Sequence, residues 1–73
     1  MKNELNVVDV MDEIIQRIFD GKLTTMRQIA DECRKAAYDM GMSAWESDFI
    51  HREMYAAYII HCEVEEIVPV TGY

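Results

Sequence analysis

The sequence predicts an all-α fold, a small three-helix domain with a long C-terminal helix. Two observations support this. Apolar residues recur at three- and four-residue steps along most of the 73-residue chain, and capping residues or glycines stand at the ends of these runs. A chain of this length builds one core and buries only about 60% of its unfolded surface, so residues 1–73 are predicted to form a single domain.

The first helix is predicted over residues 7–20. Its apolar positions share one face and are Val7, Val10, Met11, Ile14, Ile15 and Ile18. Asn6 is the expected N-cap, and Gly21 is placed to end the helix. Glu13 and Arg17 have the i,i+4 spacing of a helical ion pair.

The second helix is predicted over residues 26–40. Thr25 and Gln28 have the spacing of a capping box, and Gly41 follows the last helical residue. The apolar stripe consists of Met26, Ile29, Ala30, Cys33, Ala37 and Met40. This stripe is narrow and contains alanine, which allows a neighbouring helix to approach closely.

The third helix is predicted over residues 44–67, because Ser43 and Glu46 form another capping box and no Gly or Pro follows until Pro69. Winding the segment at about 100° per residue predicts two adjoining core stripes. One contains Trp45, Phe49, Ala56, Ile60 and Ile67, and the other contains Ile50, Met54, Ala57, Val64 and Val68.

Four residues fall outside both stripes of the third helix: Tyr55, Tyr58, Ile59 and Cys62. They are predicted to face outward as an oligomer interface, since a tyrosine buries its ring there while its hydroxyl stays at a polar rim. We therefore expect a homo-oligomer, most simply a dimer. The tail 69–73 is predicted to be a frayed terminus. The alternative is an extended segment that packs back onto the domain or pairs with a partner's edge.

The formal charge of −7 comes from fourteen acidic and seven basic residues. It argues against direct binding to nucleic acid or anionic membranes and favours a basic partner protein, although acidity also keeps a protein soluble. The candidate partner-binding residues are the acids near the two ends of the third helix, namely Glu46, Asp48, Glu53, Glu63, Glu65 and Glu66. The last three oppose the helix dipole, so local stability does not explain them.

No catalytic residue, metal site or cofactor is expected. Cys33 lies within an apolar stripe, where burial makes a thiol inert, and His51 and His61 are too far apart on one helix to share an ion. The isolated glycines form no phosphate-binding loop. Two distant cysteines predict reduced thiols. With no secretory signal and no apolar run of the ~20 residues that span a membrane, the chain is expected to be cytoplasmic.

The function predicted from these features is that of a non-catalytic, acidic protein–protein interaction module. It would be a small regulator or inhibitor that binds a basic surface of a partner, the type of protein that phages and mobile elements make. One alternative is a helix-turn-helix DNA-binding regulator using helices 2 and 3, but Glu46 and Asp48 would then face phosphates. Another is an accessory subunit whose third helix is covered by a different chain.

Overall fold

Three helices follow one another in the computed structural model, which describes residues 7–72: α1 (Val7–Phe19), α2 (Met26–Met40) and α3 (Ala44–Glu65). The three-helix prediction is confirmed. The ends of α1 and α3 come one and two residues earlier than predicted. The proposed cap at Asn6 lies outside the described residues.

Both predicted capping boxes are present. The Thr25 hydroxyl accepts a 3.1 Å hydrogen bond from the Gln28 amide, while the Gln28 side-chain oxygen accepts one from the Thr25 amide. At the start of α3 the Ser43 hydroxyl accepts from the Glu46 amide at 3.2 Å, and the Glu46 carboxylate accepts from the Ser43 amide at 2.9 Å. These reciprocal bonds satisfy amides that would otherwise have no partner in the first helical turn.

The ends of α2 and α3 use the same backbone geometry with different residues. Gly41 adopts the left-handed conformation at φ 65°, and Met42 donates its amide to the Ala37 carbonyl. After α3 the left-handed residue is Glu66, at φ 57°, and Ile67 donates to the Cys62 carbonyl at 2.8 Å. A glutamate in this conformation is destabilised by contacts of its Cβ atom that a glycine avoids.

The core lies between the three helices and the loop that joins α1 to α2. Its buried residues are Val10, Ile14, Ile18, Leu23, Ile29, Ala30, Cys33, Ile50, Met54, Tyr58 and Cys62. On α1 and α2 these residues come from the predicted apolar stripes, so the prediction of which face of each helix is buried is confirmed. Arg17, expected to pair with Glu13, instead forms a 2.5 Å ion pair with Glu32 and so links α1 to α2.

The predicted core face of α3 is wrong in most of its residues. Ile50 and Met54 are buried as expected, but the row continues through Tyr58 and Cys62, both of which were predicted to face outward. The predicted core residues that are exposed instead are Trp45, Phe49, Ala56, Ile60, Val64, Ile67 and Val68. Because both faces of α3 are apolar, hydrophobic periodicity alone could not select the inner one.

The C-terminal segment, residues 69–72, packs back onto the start of α2. The prediction of a frayed terminus is therefore wrong, and the alternative of a segment that packs back is confirmed. The carbonyls of Val70 and Thr71 accept 2.8 Å hydrogen bonds from the amides of Met26 and Arg27. These are the first two amides of α2, which have no acceptor within their own helix. The segment therefore caps α2 together with Thr25.

Candidate protein-interaction surface

A row of exposed apolar side chains, interrupted by Glu53, runs along α3 on the side opposite the core. We call it the outer stripe, and it consists of Trp45, Phe49, Ala56, Ile60 and Val64. Trp45 is 73% exposed and Val64 is 72% exposed. The rings of Trp45 and Phe49 stack on one another with centroids 6.0 Å apart and planes 5° apart. The outer stripe is therefore an apolar surface that residues 7–72 leave uncovered.

An apolar hollow adjoins the C-terminal half of the outer stripe. It has a volume of about 260 Å³ and is lined by Phe19, Ile60, His61, Val64 and Glu65. The Phe19 ring at the end of α1 stacks on the His61 ring at 5.3 Å and forms one wall. Phe19 itself remains 52% exposed. We call this feature the Phe19 hollow.

The first three candidate acids lie in the N-terminal half of α3 and differ in their surroundings. The Glu46 carboxylate is engaged in the cap of α3. Asp48 accepts two hydrogen bonds from Arg52, the shorter of 2.7 Å. Glu53 is exposed and has no ion pair within residues 7–72. Glu46 thus has a structural role, while the charge of Asp48 is partly balanced.

The other three candidate acids form what we call the acidic end, Glu63, Glu65 and Glu66. All three are exposed, and none forms an ion pair with any described residue. They lie where the α3 dipole is negative, and each carboxylate there costs about 0.3–1 kcal/mol. Glu66 also carries the left-handed backbone conformation. The acidic end therefore has two separate sources of instability.

Of the four residues predicted to form an oligomer interface, two are buried in the core and two are half-buried. Tyr58 and Cys62 are 2% and 1% exposed within the single chain, so they are not available to a second one. Tyr55 and Ile59 are half-buried at the edge of the core. The placement of Tyr58 and Cys62 on an outer face is therefore wrong, while association of the chain with itself stays a prediction.

Tyr58 is held in the core by its hydroxyl. The hydroxyl donates a 2.6 Å hydrogen bond to the Thr24 carbonyl and accepts a 3.0 Å bond from the Val70 amide. Burial raises the pKa of the Tyr58 hydroxyl above its ordinary value. Tyr58 thus connects α3 both to the loop before α2 and to the C-terminal segment. Charge, and not hydrophobic periodicity, was the sequence signal for this inner row: Ile50, Met54, Tyr58 and Cys62 include no charged residue, whereas Glu53 interrupts the outer stripe.

The chemistry of the cysteines and histidines is limited by their positions. Burial raises the pKa of the Cys33 thiol to about 12, with a further contribution from Glu32, so the thiol stays protonated at neutral pH. His51 places its Nδ1 atom 2.7 Å from the Ser47 carbonyl. Within residues 7–72, no three His, Cys, Asp or Glu side chains are grouped so that they could hold a metal ion.

The region joining α2 and α3 bears on the helix-turn-helix alternative. Three residues, 41–43, separate the two helices. The outward side chains at the start of α3 include Trp45, Asp48 and Phe49, while Glu46 is held in the cap. A helix that reads DNA needs donors at these positions for bases and phosphates. The helix-turn-helix connection is therefore short enough, but its side chains are poorly suited to a nucleic acid.

Fold and surface define the chain as a small all-α domain of three helices with an uncovered apolar stripe and an acidic end. Comparison with protein-family models, with curated proteins and with solved structures finds no match to it. In the part of the chain that the structure describes, no helix is both long enough and apolar enough to cross a membrane.

Proposed function

We propose that this chain is a non-catalytic interaction module, a small cytoplasmic regulator or inhibitor that binds a basic surface of a partner protein. The observation that carries the proposal is the acidic end. Its three carboxylates are exposed, have no ion pair among the described residues and stand where the helix dipole opposes them. Charges that lower stability and serve no internal contact are typical of a binding surface.

The partner class follows from charge. A formal charge of −7 attracts a cationic surface over distances of about a Debye length and repels the phosphates of nucleic acid. Glu53, Asp48 and the acidic end distribute carboxylates along α3, so an extended basic surface fits better than a single cation. A nucleic-acid-binding surface on another protein has this character, and occupying it would inhibit that protein.

The acidic end can be tested with two triple variants of equal charge. Glu63→Gln, Glu65→Gln and Glu66→Gln remove the three carboxylates of the acidic end. Asp12→Asn, Glu13→Gln and Asp39→Asn remove the same charge from exposed positions on α1 and α2. Immobilised wild-type protein and both variants are used to capture partners from a native-host lysate at low salt, and captured proteins are identified by mass spectrometry.

We expect the wild type and the α1/α2 variant to capture the same basic protein, and the acidic-end variant not to capture it. The captured protein should elute as the salt concentration rises. Equal loss from both variants would show that net charge alone is responsible. Capture that is unchanged in high salt would overturn the electrostatic part of the proposal.

The helix-turn-helix regulator is the second candidate, favoured by the three-residue connection between α2 and α3. A gel shift with random duplex DNA at low salt separates the two candidates, because any DNA-binding domain retains non-specific affinity for phosphates. A shifted band would favour the regulator, and none is expected from the acidic surface. If instead the chain were an accessory subunit, the isolated protein should aggregate through its uncovered stripe.

A further inference from the structure

We infer that residues 67–72, which follow the cap of α3, form a strap that opens and closes as one unit while the three helices stay folded. When the strap opens, it uncovers an apolar cavity and the thiol of Cys62. The strap is distinct from the carboxylates on which the proposed function rests, so neither proposal depends on the other.

The strap is attached to the helices through its backbone. The Val70 amide donates a 3.0 Å hydrogen bond to the Tyr58 hydroxyl. The Val70 carbonyl accepts a 2.8 Å bond from the Met26 amide. The Thr71 carbonyl accepts a bond of the same length from the Arg27 amide. Because these bonds come from two adjacent strap residues, a movement that breaks one of them breaks the others.

Burial of side chains adds little to this attachment. Every strap residue is exposed, and the apolar Ile67, Val68 and Val70 have exposed fractions of 51%, 80% and 47%. The core residues that the helices share are at most 8% exposed. A segment with few buried apolar contacts and exposed backbone hydrogen bonds opens at a lower free energy than the rest of a fold. The strap should therefore open while α1, α2 and α3 remain packed.

The open state leaves no hydrogen-bonding group of this attachment unpaired in the core. The Tyr58 hydroxyl loses the Val70 amide but keeps its 2.6 Å bond to the Thr24 carbonyl. The two α2 amides that the strap releases lie in the first helical turn, where water replaces the carbonyls. Glu66 directs the chain back towards α2 from a left-handed backbone conformation, which has a steric cost for a residue with a Cβ atom. These features keep the free energy of opening small.

The strap is the lid of an apolar cavity of about 300 Å³. The walls come from the α1–α2 loop, from α3 and from the strap, which contributes Ile67 and Val70. Leu23 and Cys62 also line the cavity, and both are buried while the strap is closed. Opening the strap therefore brings solvent to the Cys62 thiol. Cys33, the other cysteine, is buried between the helices and does not line this cavity.

Closure depends on a close contact at the end of the strap. A Cβ atom at Gly72 would lie 2.9 Å from the Cβ and Oγ1 atoms of Thr25 and 3.2 Å from the Cβ atom of Arg27. An alanine at this position therefore forces the closed strap to shift. The same alanine meets no such contact once the strap is open, so Gly72→Ala favours the open state.

Alkylation of the two cysteines measures the opening. Wild-type protein is treated with iodoacetamide, and the modification of each cysteine is followed by mass spectrometry of its peptide. We expect Cys62 to react on the order of 100-fold faster than Cys33, because only Cys33 requires the helices to separate. Low concentrations of urea should accelerate Cys33 and leave Cys62 nearly unchanged, since opening the strap exposes little surface. Equal rates, or an equal dependence on urea, would overturn the inference.

Two glycine variants separate opening of the strap from loss of global stability. Gly72→Ala should accelerate the alkylation of Cys62 about tenfold, because opening relieves both the clash and the backbone strain of the alanine. Gly21→Ala places the same strain at nearly the same φ, with no neighbour of the Cβ atom within 4 Å. It destabilises the open and closed states alike, so it should accelerate Cys33 and leave Cys62 unchanged. An unchanged Cys62 rate in Gly72→Ala would contradict the lid.

Hydrogen exchange tests whether the strap moves as one unit. In the wild type, the amides of Met26, Arg27 and Val70 should give opening constants that agree within about threefold with one another and with the constant from Cys62 alkylation. The amide of Ile50, in the core of α3, should exchange far more slowly. Opening constants that differ by more than about tenfold among the three amides would show that the segment frays residue by residue, and would exclude a strap that opens as a unit.

Discussion

The hydroxyl of Tyr58 donates a 2.6 Å hydrogen bond to the carbonyl of Thr24, 34 residues earlier in the chain. The same hydroxyl accepts a 3.0 Å bond from the Val70 amide. One buried polar atom thus joins the middle of α3, the loop before α2 and the C-terminal segment. This explains how a tyrosine occupies a core position, since its hydroxyl would otherwise be buried without partners.

Tyr58→Phe should lower the free energy of unfolding by about 1–3 kcal/mol, because it leaves the Thr24 carbonyl and the Val70 amide without this partner. Urea denaturation monitored by circular dichroism measures the change. Tyr38→Phe removes the same hydroxyl from an 88% exposed position and should have no effect. Equal stabilities of Tyr58→Phe and wild type would show that water replaces the hydroxyl without cost.

Gly72→Ala should detach the C-terminal segment from the start of α2. A Cβ atom at Gly72 would lie 2.9 Å from both Cβ and Oγ1 of Thr25, the residue that caps α2. Hydrogen exchange at the Met26 and Arg27 amides should speed up, because the Val70 and Thr71 carbonyls no longer accept from them.

The matched control for this prediction is Gly21→Ala. Gly21 has nearly the same φ, 81° against 80°, but a Cβ atom there would have no neighbour within 4 Å. Both variants carry the strain of an alanine at positive φ, so the difference between them measures the clash with Thr25. Unchanged exchange at Met26 and Arg27 in Gly72→Ala would contradict the capping role of the segment.

The sequence predicted the three helices because each has its own local signals. The stripes of α1 and α2 are one-sided, so their inner faces were also predicted correctly. Hydrophobic periodicity could not identify the inner face of α3, because the helix carries two apolar rows. One row contains Ile50, which is buried, and the other contains Phe49, which is exposed. The predicted end of α3 is two residues too late, because the left-handed residue that ends a helix is usually glycine and here it is Glu66. The docking of the C-terminal segment was not predictable from residue types, because it depends on the backbone carbonyls of Val70 and Thr71.

The interaction surface was predictable only in part. The acids of α3 are visible in the sequence, and so is the presence of a second apolar face on that helix. The Phe19 hollow could not be predicted, since it needs the end of α1 to pack beside His61. The role of Tyr58 also required tertiary structure, because its two partners, Thr24 and Val70, are distant in the chain.

Glu66→Gly should raise the free energy of unfolding by about 1 kcal/mol, because glycine adopts φ 57° without the steric cost that glutamate has. Glu66→Gln removes only the charge and should contribute a few tenths of a kcal/mol. Glu63→Gly, within α3, should instead destabilise by about 1 kcal/mol. Guanidinium denaturation of the three variants gives the comparison. A destabilised Glu66→Gly would show that the left-handed position is not strained.

Stability should fall steeply in alkaline solution because of Cys33. Its pKa rises from the ordinary 9.0 to about 12 in the folded chain, so the thiolate forms more readily after unfolding. The contribution of the protonated Cys33 thiol to the free energy of unfolding is fully present below pH 9 and is lost as the pH rises towards 12. At 1.36 kcal/mol per pKa unit, the loss is about 2 kcal/mol at pH 10.5. Cys33→Ala lacks this titration while keeping that of Tyr58, whose raised pKa acts in the same direction. We expect the difference in stability between wild type and Cys33→Ala to shrink between pH 8 and pH 10.5 in urea titrations; parallel curves would contradict the assignment to Cys33.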